Sequence, residues 1–337
     1  MKEKPRKKLI ICIITIVLST IGPILLAGCT NQQSNIIKIS GANALQPMME
    51  VWAKEYQKIY PEIRIDVSGG GAGKGMTEAL AGVADIGMYS KDVTSNDIAN
   101  GVFWVSVASD AVIATMNSQN PVKDLILAQG VTKAHLRDIF INIYENRTFA
   151  TWGQLVGNPN ASTQRIWVFT RQDSCGAAEM WAKYLGPYLQ DNLTAAADAA
   201  QIEDAGVRTA VQGNVNSIGY NNINTVYDIQ TKLPYTGIVP IPLDLNENGI
   251  LDENESFYNN STEIINAIRN HIYPWPPARN LQLVTKEGFT GIVKDFIEWI
   301  LTEGQQYVET SGYLKLPDQT LQLQRQYLDS GTRPEIG

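Results

Sequence analysis

The sequence predicts an α/β protein, and its composition, its alternating strand and helix patterns and its glycine-rich turns all support this. The chain has 337 residues, of which 44% are apolar, 18% charged and 8% aromatic, as in a folded globular protein. That length is sufficient for two domains. Segments with strand periodicity alternate with segments with helix periodicity, which is typical of an α/β architecture.

The first elements predict a βαβαβ unit. Its members, in chain order, are strand 36–40, helix 45–59, strand 63–67, helix 76–81 and strand 84–88. The first helix places apolar side chains at steps of four and three, and Pro61 ends it. The run GGGAGKG precedes the second helix.

The later elements continue the alternation and indicate where the domains meet. The expected strands are 104–108, 112–116, 166–169, 218–220 and 281–285, and the expected helices are 133–139, 177–185 and 292–305. The sequence NSQNP at 117–121 breaks the pattern and suits an interdomain crossing. We therefore expect one lobe from residues 36–116 and 280–337, and a second from residues 117–279.

Charge and histidine content argue against several classes of function. A net charge of −7 disfavours a protein that binds nucleic acid by neutralising phosphates. The two histidines, His135 and His271, are far apart in the sequence, which leaves little for a histidine metal site or a Ser/His triad.

The N-terminus predicts export. Basic residues precede an apolar run over residues 9–28 that ends in Leu-Ala-Gly before Cys29, as in a lipoprotein signal peptide. We expect cleavage after residue 28, a lipid on Cys29 and a tether over residues 29–35. The alternative is an uncleaved transmembrane anchor. In both cases the globular part lies outside the cytoplasm, attached to a membrane. Only Cys175 then remains as a free cysteine, so no intrachain disulfide is expected.

Three strand-to-helix turns have small or capping residues: loop A (residues 40–43), loop B (69–75) and loop C (171–177). A helix N-terminus carries unpaired N–H groups and partial positive charge, which favour an anion. One such turn is weak evidence, because a tight turn with an N-cap has the same sequence. Three turns, the last preceded by an arginine, are better evidence for an anion site.

These segments resemble a known family. SGANALQPMMEVWAKEYQKIYP, VSGGGAGKGMTEALAGVADIGMYS and TRQDSCGAAEMWAKYL are similar to the anion-binding segments of phosphate-binding proteins of ABC-type phosphate uptake systems. The late segments IGY at 218–220 and GYLKLP at 312–317 are similar too. The resemblance implies the two-lobed type II periplasmic-binding-protein fold, with a ligand cleft between the lobes and delivery to a membrane permease.

The resemblance also implies ligand-binding positions. Four of them carry Asn, Ala, Cys or Ala where the family usually has a hydroxyl, and Ser90 stands where some members have an aspartate. The implied phosphate-binding residues are Asn43, Ala44, Ala72, Ser90, Arg171, Cys175, Gly176 and Ala177. Backbone N–H groups, Arg171 and the Asn43 amide must then bind most of the ligand. Arg171 has an alternative role, a salt bridge to Asp173 or another carboxylate. Cys175 also has one, because a helix N-terminus and Arg171 should lower the pKa of its thiol, as in a cysteine-dependent enzyme. No base with motif support accompanies it, so we expect no enzyme.

Residues 244–255, DLNENGILDENE, match the calcium loop of EF-hand and dockerin-like proteins. The glycine at position 6 makes the sharp turn, and oxygens of the remaining diagnostic residues surround one ion. The expected ligands are Asp244, Asn246, Asn248, the carbonyl of Ile250, Asp252 and Glu255. The alternative is an acidic turn rich in Asn and Gly. We expect a structural calcium site and no catalytic cofactor.

Together these patterns predict a monomeric, membrane-tethered solute-binding protein that captures phosphate for an ABC permease and binds no nucleic acid. Sulfate, tungstate and molybdate remain open as ligands. An anchored scaffold or sensor that has lost transport is the alternative from another class.

Overall fold

The computed structural model describes residues 35–335, in which nine strands form one sheet and helices stand between most of the strands along the chain. The predicted signal peptide, Cys29 and all but the last residue of the tether lie outside these residues. The strands are β1 (Ile36–Gly41), β2 (Arg64–Ser68), β3 (Ile86–Tyr89), β4 (Val102–Asn117), β5 (Trp167–Arg171), β6 (Ala199–Gln201), β7 (Ser217–Asn222), β8 (Ile238–Pro240) and β9 (Ala278–Lys286).

The helices follow the apolar periodicity of the sequence. In the described residues they are α1 (Gln46–Ile59), α2 (Ala72–Leu80), α3 (Ser95–Ala99), α4 (Lys123–Gln129), α5 (Lys133–Ile141), α6 (Trp152–Leu155), α7 (Gly176–Leu185), α8 (Gln190–Ala196), α9 (Glu203–Gly213), α10 (Ile223–Val226), α11 (Ser261–Arg269), α12 (Gly291–Leu301) and α13 (Asp318–Ser330). No helix in the described part of the chain is both long and apolar enough to cross a membrane.

The sheet runs in the order β2-β1-β3-β9-β4-β7-β5-β6, and β8 pairs with the end of β4 on the edge opposite β7. β1 is parallel to both β2 and β3, as the predicted βαβαβ unit requires. β9 is antiparallel to β3 and to β4, and β4 is antiparallel to β7. Consequently β9 and β4 lie side by side at the centre of the sheet.

Two hydrophobic cores divide the molecule into two lobes. One core contains Ala108 and Leu281, and the other contains Ala111 and Ala278. Within the described residues the chain passes between the lobes in β4 and β9, and we call these the crossing strands. The first crossing therefore lies inside β4, ahead of residue 117, where the sequence places the start of the second lobe.

Several predicted elements differ from the observed ones. The expected strands 104–108 and 112–116 form one continuous strand. The intervening Ser109 and Asp110 are buried and continue the pairing with β9, where their partners are Asn280 and Arg279. α2 begins at Ala72 rather than residue 76, because the small residues of loop B continue into helix. α12 ends at Leu301, and a 3₁₀ helix, Glu303–Tyr307, follows it.

Candidate functional site

Loop A joins β1 to α1 and is hydrogen-bonded to β3 and to loop B. The N–H of Ala42 donates to the Met88 carbonyl at 2.9 Å, and the N–H of Gly70 donates to Asn43 Oδ1 at 2.8 Å. The Nδ2 atom of Asn43 is buried and has no acceptor among the described residues. The Asn43 amide is therefore held by its oxygen, and its nitrogen is free to donate to a ligand.

Ala44 is fixed through its carbonyl. That oxygen accepts hydrogen bonds from Tyr313 Oη at 2.7 Å and from Asn224 Nδ2 at 3.2 Å. Tyr313 belongs to the GYLKLP segment, and Asn224 lies in α10 of the second lobe. The Ala44 contact therefore joins the two lobes beside loop A.

Loop B opens α2 without a side-chain cap. Gly70 and Gly71 have φ values of 125° and 90°, which favour glycine, and the N–H of Gly71 donates to the Gly41 carbonyl at 3.0 Å. No side chain caps the N-terminus of α2, so the N–H of Ala72, in its first turn, has neither an intrahelical partner nor a cap. That group is available to an anion.

Loop C opens α7 in the second lobe. Cys175 is the N-cap, and its Sγ accepts from the Ala178 N–H at 3.4 Å. Its own N–H donates to Gln190 Oε1 at 3.2 Å. The first-turn N–H groups of Gly176 and Ala177 have no intrahelical partners, and they point out of the positive end of α7.

Loops B and C meet across the cleft. The N–H of Gly73 donates to the Ser174 carbonyl at 3.4 Å, and a Cβ placed on Gly71 would lie 2.8 Å from the same oxygen. A Cβ placed on Gly176 would overlap the Ser90 carbonyl oxygen. The structure therefore brings Ala72, Ser90, Gly176 and Ala177 together between the lobes.

Arg171 ends β5 at this cleft and is 1% exposed. Its Nε donates to Asp173 Oδ1 at 2.9 Å, and its Nη2 donates to Asp173 Oδ2. Its Nη1 lies 2.6 Å from Asp204 Oδ1, as an ion pair without the alignment of a hydrogen bond. The salt bridge considered as an alternative role is therefore present, with two carboxylates instead of one. Two of the five guanidinium N–H groups donate hydrogen bonds, both to Asp173. With one N–H of Nη1 assigned to the ion pair with Asp204, two N–H groups are left for a ligand.

The pKa directions follow from these contacts. Burial acts to lower the pKa of the Arg171 guanidinium, but Asp204 and Asp173 outweigh it and raise that pKa. Burial likewise acts to raise the pKa of Asp173, and the hydrogen bond from Arg171 reverses this, so the pKa is lowered. Both groups are charged at neutral pH.

The expected low pKa of Cys175 is wrong. Burial raises the pKa of this thiol to about 11, although Arg171 acts in the opposite direction. The thiol is 4% exposed, so desolvation of the thiolate outweighs the helix N-terminus. Cys175 is a neutral cap at neutral pH and not an activated nucleophile.

Comparison with known proteins gives the family. A model of the PBP superfamily domain matches residues 29–303. The chain belongs to the PBP superfamily. The predicted two-lobed periplasmic-binding fold is thereby confirmed.

Individual relatives of this PBP superfamily chain have low sequence identity to it, as three examples show. Phosphate-binding protein PstS 2 of Streptococcus agalactiae is 29% identical over 107 residues, which cover 32% of this chain and 34% of that relative's length. Phosphate-binding protein PstS of Methanocaldococcus jannaschii is 23% identical to this chain, in an alignment that covers 91% of this chain and 90% of that relative's length. A structure of a substrate-binding protein from Clostridium perfringens, solved with bound phosphate, superposes on this chain with a TM-score of 0.66 and 24% sequence identity. The match covers 84% of this chain and 100% of that protein's chain. That likeness shows a shared fold.

Sequence reasoning missed three residues of this candidate site, namely Asp204, Asn224 and Lys91. Lys91 Nζ donates to Ser174 Oγ at 2.9 Å and lies 3.4 Å from Glu179 Oε2, so it joins the lobes beside Ser90. Asp204 lies in the first turn of α9, an element that the alternation did not predict. In the sequence, the only indication that Lys91 lies at this site is its position directly after Ser90.

The loop 244–255 is wound around its acidic residues. Asp244 accepts from the N–H groups of Asn248 and Gly249 at 3.2 and 2.9 Å, and Glu255 accepts from the N–H of Leu245 at 2.9 Å. The amides of Asn246 and Asn248 both donate to Asp252 Oδ2. Over residues 35–335, no three His, Cys, Asp or Glu side chains are arranged to hold a metal ion. The donor set consists of oxygens, which are the ligands that calcium takes.

Proposed function

We propose that this chain captures inorganic phosphate between its two lobes outside the cytoplasm and presents it to an ABC permease. The observation that carries the proposal is the meeting of the α2 and α7 N-termini, from opposite lobes, beside Arg171. Relatives that are similar in sequence are named phosphate-binding proteins, which supports phosphate as the ligand.

The available donors are sufficient for useful affinity. They are the N–H groups of Ala72, Gly176 and Ala177, the Asn43 amide nitrogen, and two N–H groups of Arg171. Hydrogen bonds to a charged group contribute roughly 1.5–3 kcal/mol each, and micromolar binding needs about 8 kcal/mol. The loss of hydroxyl side chains at the implied family positions is therefore compatible with phosphate binding.

The test is calorimetric titration of the purified protein with phosphate, sulfate and tungstate at one ionic strength. We expect phosphate to bind, and Arg171→Ala to weaken it at least about 100-fold, because a bidentate charged contact is lost. Arg64→Ala removes the same charge from an exposed side chain on β2 and should leave binding unchanged. Preference for sulfate or tungstate supports a receptor for another oxyanion. Absence of all binding supports an anchored scaffold or sensor.

Attachment to the membrane through Cys29 belongs to the same proposal. A lipid on this cysteine places the binding domain at the outer face of the membrane, next to the permease. Replacement of Cys29 by alanine should release the protein from membranes, as measured by fractionation. Retention of that variant on membranes would favour the uncleaved anchor. We propose binding without covalent chemistry, by a monomer.

We also propose a structural calcium ion in the loop 244–255. Asp244, Asn246, Asn248, the Ile250 carbonyl, Asp252 and Glu255 would be its ligands, with two asparagines giving modest affinity. Calcium should raise the melting temperature, and Glu255→Gln should abolish that rise. Glu253→Gln removes an exposed carboxylate at a non-ligand position of the same loop and serves as the control. A melting temperature indifferent to calcium and chelator contradicts the site.

A further inference from the structure

A chain of buried polar side chains leads away from Arg171, and we call it the polar bridge. Its members are Asp204, Asn222, Arg279 and Asp110, each at most 5% exposed. Asp204 contacts Arg171 Nη1 at 2.6 Å, and Asn222 Nδ2 donates to Asp204 Oδ2 at 2.9 Å. Arg279 Nη2 donates to Asn222 Oδ1 and lies 3.5 Å from Asp110 Oδ2. The bridge is continuous from the anion site to Asp110.

The far end of the polar bridge lies on the crossing strands. Asp110 on β4 and Arg279 on β9 are cross-strand partners. On each strand, these residues fall where the side chains change from one hydrophobic core to the other. The bridge therefore connects the arginine at the cleft to the place where the lobes are joined.

The order of donors and acceptors fixes the orientation of the Asn222 amide in the polar bridge. A carboxylate only accepts hydrogen bonds and a guanidinium only donates them, so Asn222 must direct its nitrogen to Asp204 and its oxygen to Arg279. A buried carboxylate such as Asp204 is costly without partners, and Asn222 is its second partner after Arg171. The placement of Asp204, and with it one edge of the Arg171 guanidinium, depends on Asn222.

We propose that Asn222 and Arg279 are positioning residues for the anion site, acting on Arg171 through Asp204 and tying it to the crossing strands. This inference rests on the proposed role of Arg171 in holding the anion. Neither residue needs to touch the ligand. Their removal should lower affinity by freeing the guanidinium from its bound orientation.

A double-mutant cycle on phosphate affinity tests the polar bridge. Asn222→Leu removes both hydrogen bonds at similar volume and should weaken phosphate about tenfold, or ~1.4 kcal/mol, in the otherwise natural protein. In the Arg171→Lys background the same change should cost less than about twofold, because the guanidinium it positions is already gone. Equal losses in both backgrounds, or none, overturn the proposal.

Asn221→Leu is the matched control. Asn221 is the adjacent residue on β7, is 0% exposed, and has no side-chain hydrogen-bond partner among the described residues. Its replacement should leave affinity unchanged in both backgrounds. If Asn222→Leu does not fold, Arg279→Lys, which keeps the charge but loses the planar fork, replaces it in the cycle.

A second readout needs no ligand. The Nε–Hε NMR signal of Arg171 in the free protein should shift or broaden in Asn222→Leu and stay in place in Asn221→Leu. An unmoved signal in both variants overturns the polar bridge. If the protein without substitutions binds no phosphate, the proposed function is contradicted instead. The NMR signal of Arg171 then still tests the polar bridge, because that measurement needs no ligand.

Discussion

Cys175 caps α7 with its sulfur, at a position where the family resemblance implies a hydroxyl. The sulfur accepts from the Ala178 N–H, so the thiol caps the helix N-terminus as a serine or threonine hydroxyl can. Burial raises its pKa to about 11, which keeps it protonated at physiological pH. In the proposed anion site, this residue contributes to the wall and not to reactivity.

The raised pKa predicts slow alkylation of Cys175. Because only the thiolate is nucleophilic, its fraction stays very small until the pH approaches the pKa. We expect iodoacetamide at pH 8 to modify Cys175 in the folded protein far more slowly than in urea, with the folded rate increasing only at strongly alkaline pH. Mass spectrometry of the Cys175 peptide measures this. Equal folded and unfolded rates at pH 8 contradict the buried cap.

At the scale of single residues, the sequence predicts Arg171 as a ligand-binding residue but does not predict all the side chains that contact it. Asp173 is two positions away and could be predicted as a partner. Asp204 is distant in sequence and comes close only because β6 pairs in parallel with β5, which places the start of α9 beside Arg171. Such a contact depends on strand order, which a single sequence does not specify.

At the scale of elements, the start of α7 packs directly on the end of β3. Gly176 has no room for a Cβ, because the carbonyl and hydroxyl oxygens of Ser90 occupy that space. The contact joins opposite lobes in the arrangement that this structure shows. We therefore expect a side chain at Gly176 to oppose this arrangement of the lobes more than it opposes folding of either lobe.

Gly176→Ala should weaken phosphate at least about 100-fold, a loss of ~2.7 kcal/mol, with a small change in melting temperature. Gly213→Ala is the control, since nothing lies within 4 Å of its added Cβ and alanine is the better helix former. Calorimetry of both variants measures the phosphate affinity, and thermal melting measures the change in stability. Unchanged phosphate affinity in Gly176→Ala would show that this contact has no part in the bound state.

The sequence predicts elements best where apolar periodicity is clear. The βαβαβ unit is confirmed, because its strands and α1 have strong patterns. β4 reads as two strands, since the buried pair Ser109 and Asp110 interrupts its apolar run. Burial of that aspartate depends on Arg279 in β9, which local pattern does not reveal.

At the scale of the whole molecule, ion pairs join the lobes at the rim of the cleft. Lys91 contacts Ser174 and Glu179, and Lys183 Nζ lies 2.6 Å from Asp92 Oδ2. Partly exposed pairs of this kind contribute little each and are screened by salt. They contribute modestly to the arrangement of the lobes in this structure and do not determine it.

Lys91→Ala should weaken phosphate several-fold at low ionic strength, because closure loses its pairing with loop C and α7. The difference from the natural protein should shrink at high salt. Lys58→Ala removes a lysine paired within α1 of the first lobe and should have no effect. Titrations at two salt concentrations provide the measurement, and an unaltered affinity of Lys91→Ala at low salt would contradict a role in closure.

The convergence of loops A, B and C with Arg171 on one anion is tested most directly by a crystal structure with arsenate, whose anomalous scattering locates the ion. We expect one arsenic peak between the lobes, with the ion within hydrogen-bond distance of the amide nitrogens of Ala72 and Ala177 and of the Arg171 guanidinium. A peak away from these groups, or an Arg171 that contacts only Asp173 and Asp204 while the ion binds elsewhere, would contradict the site.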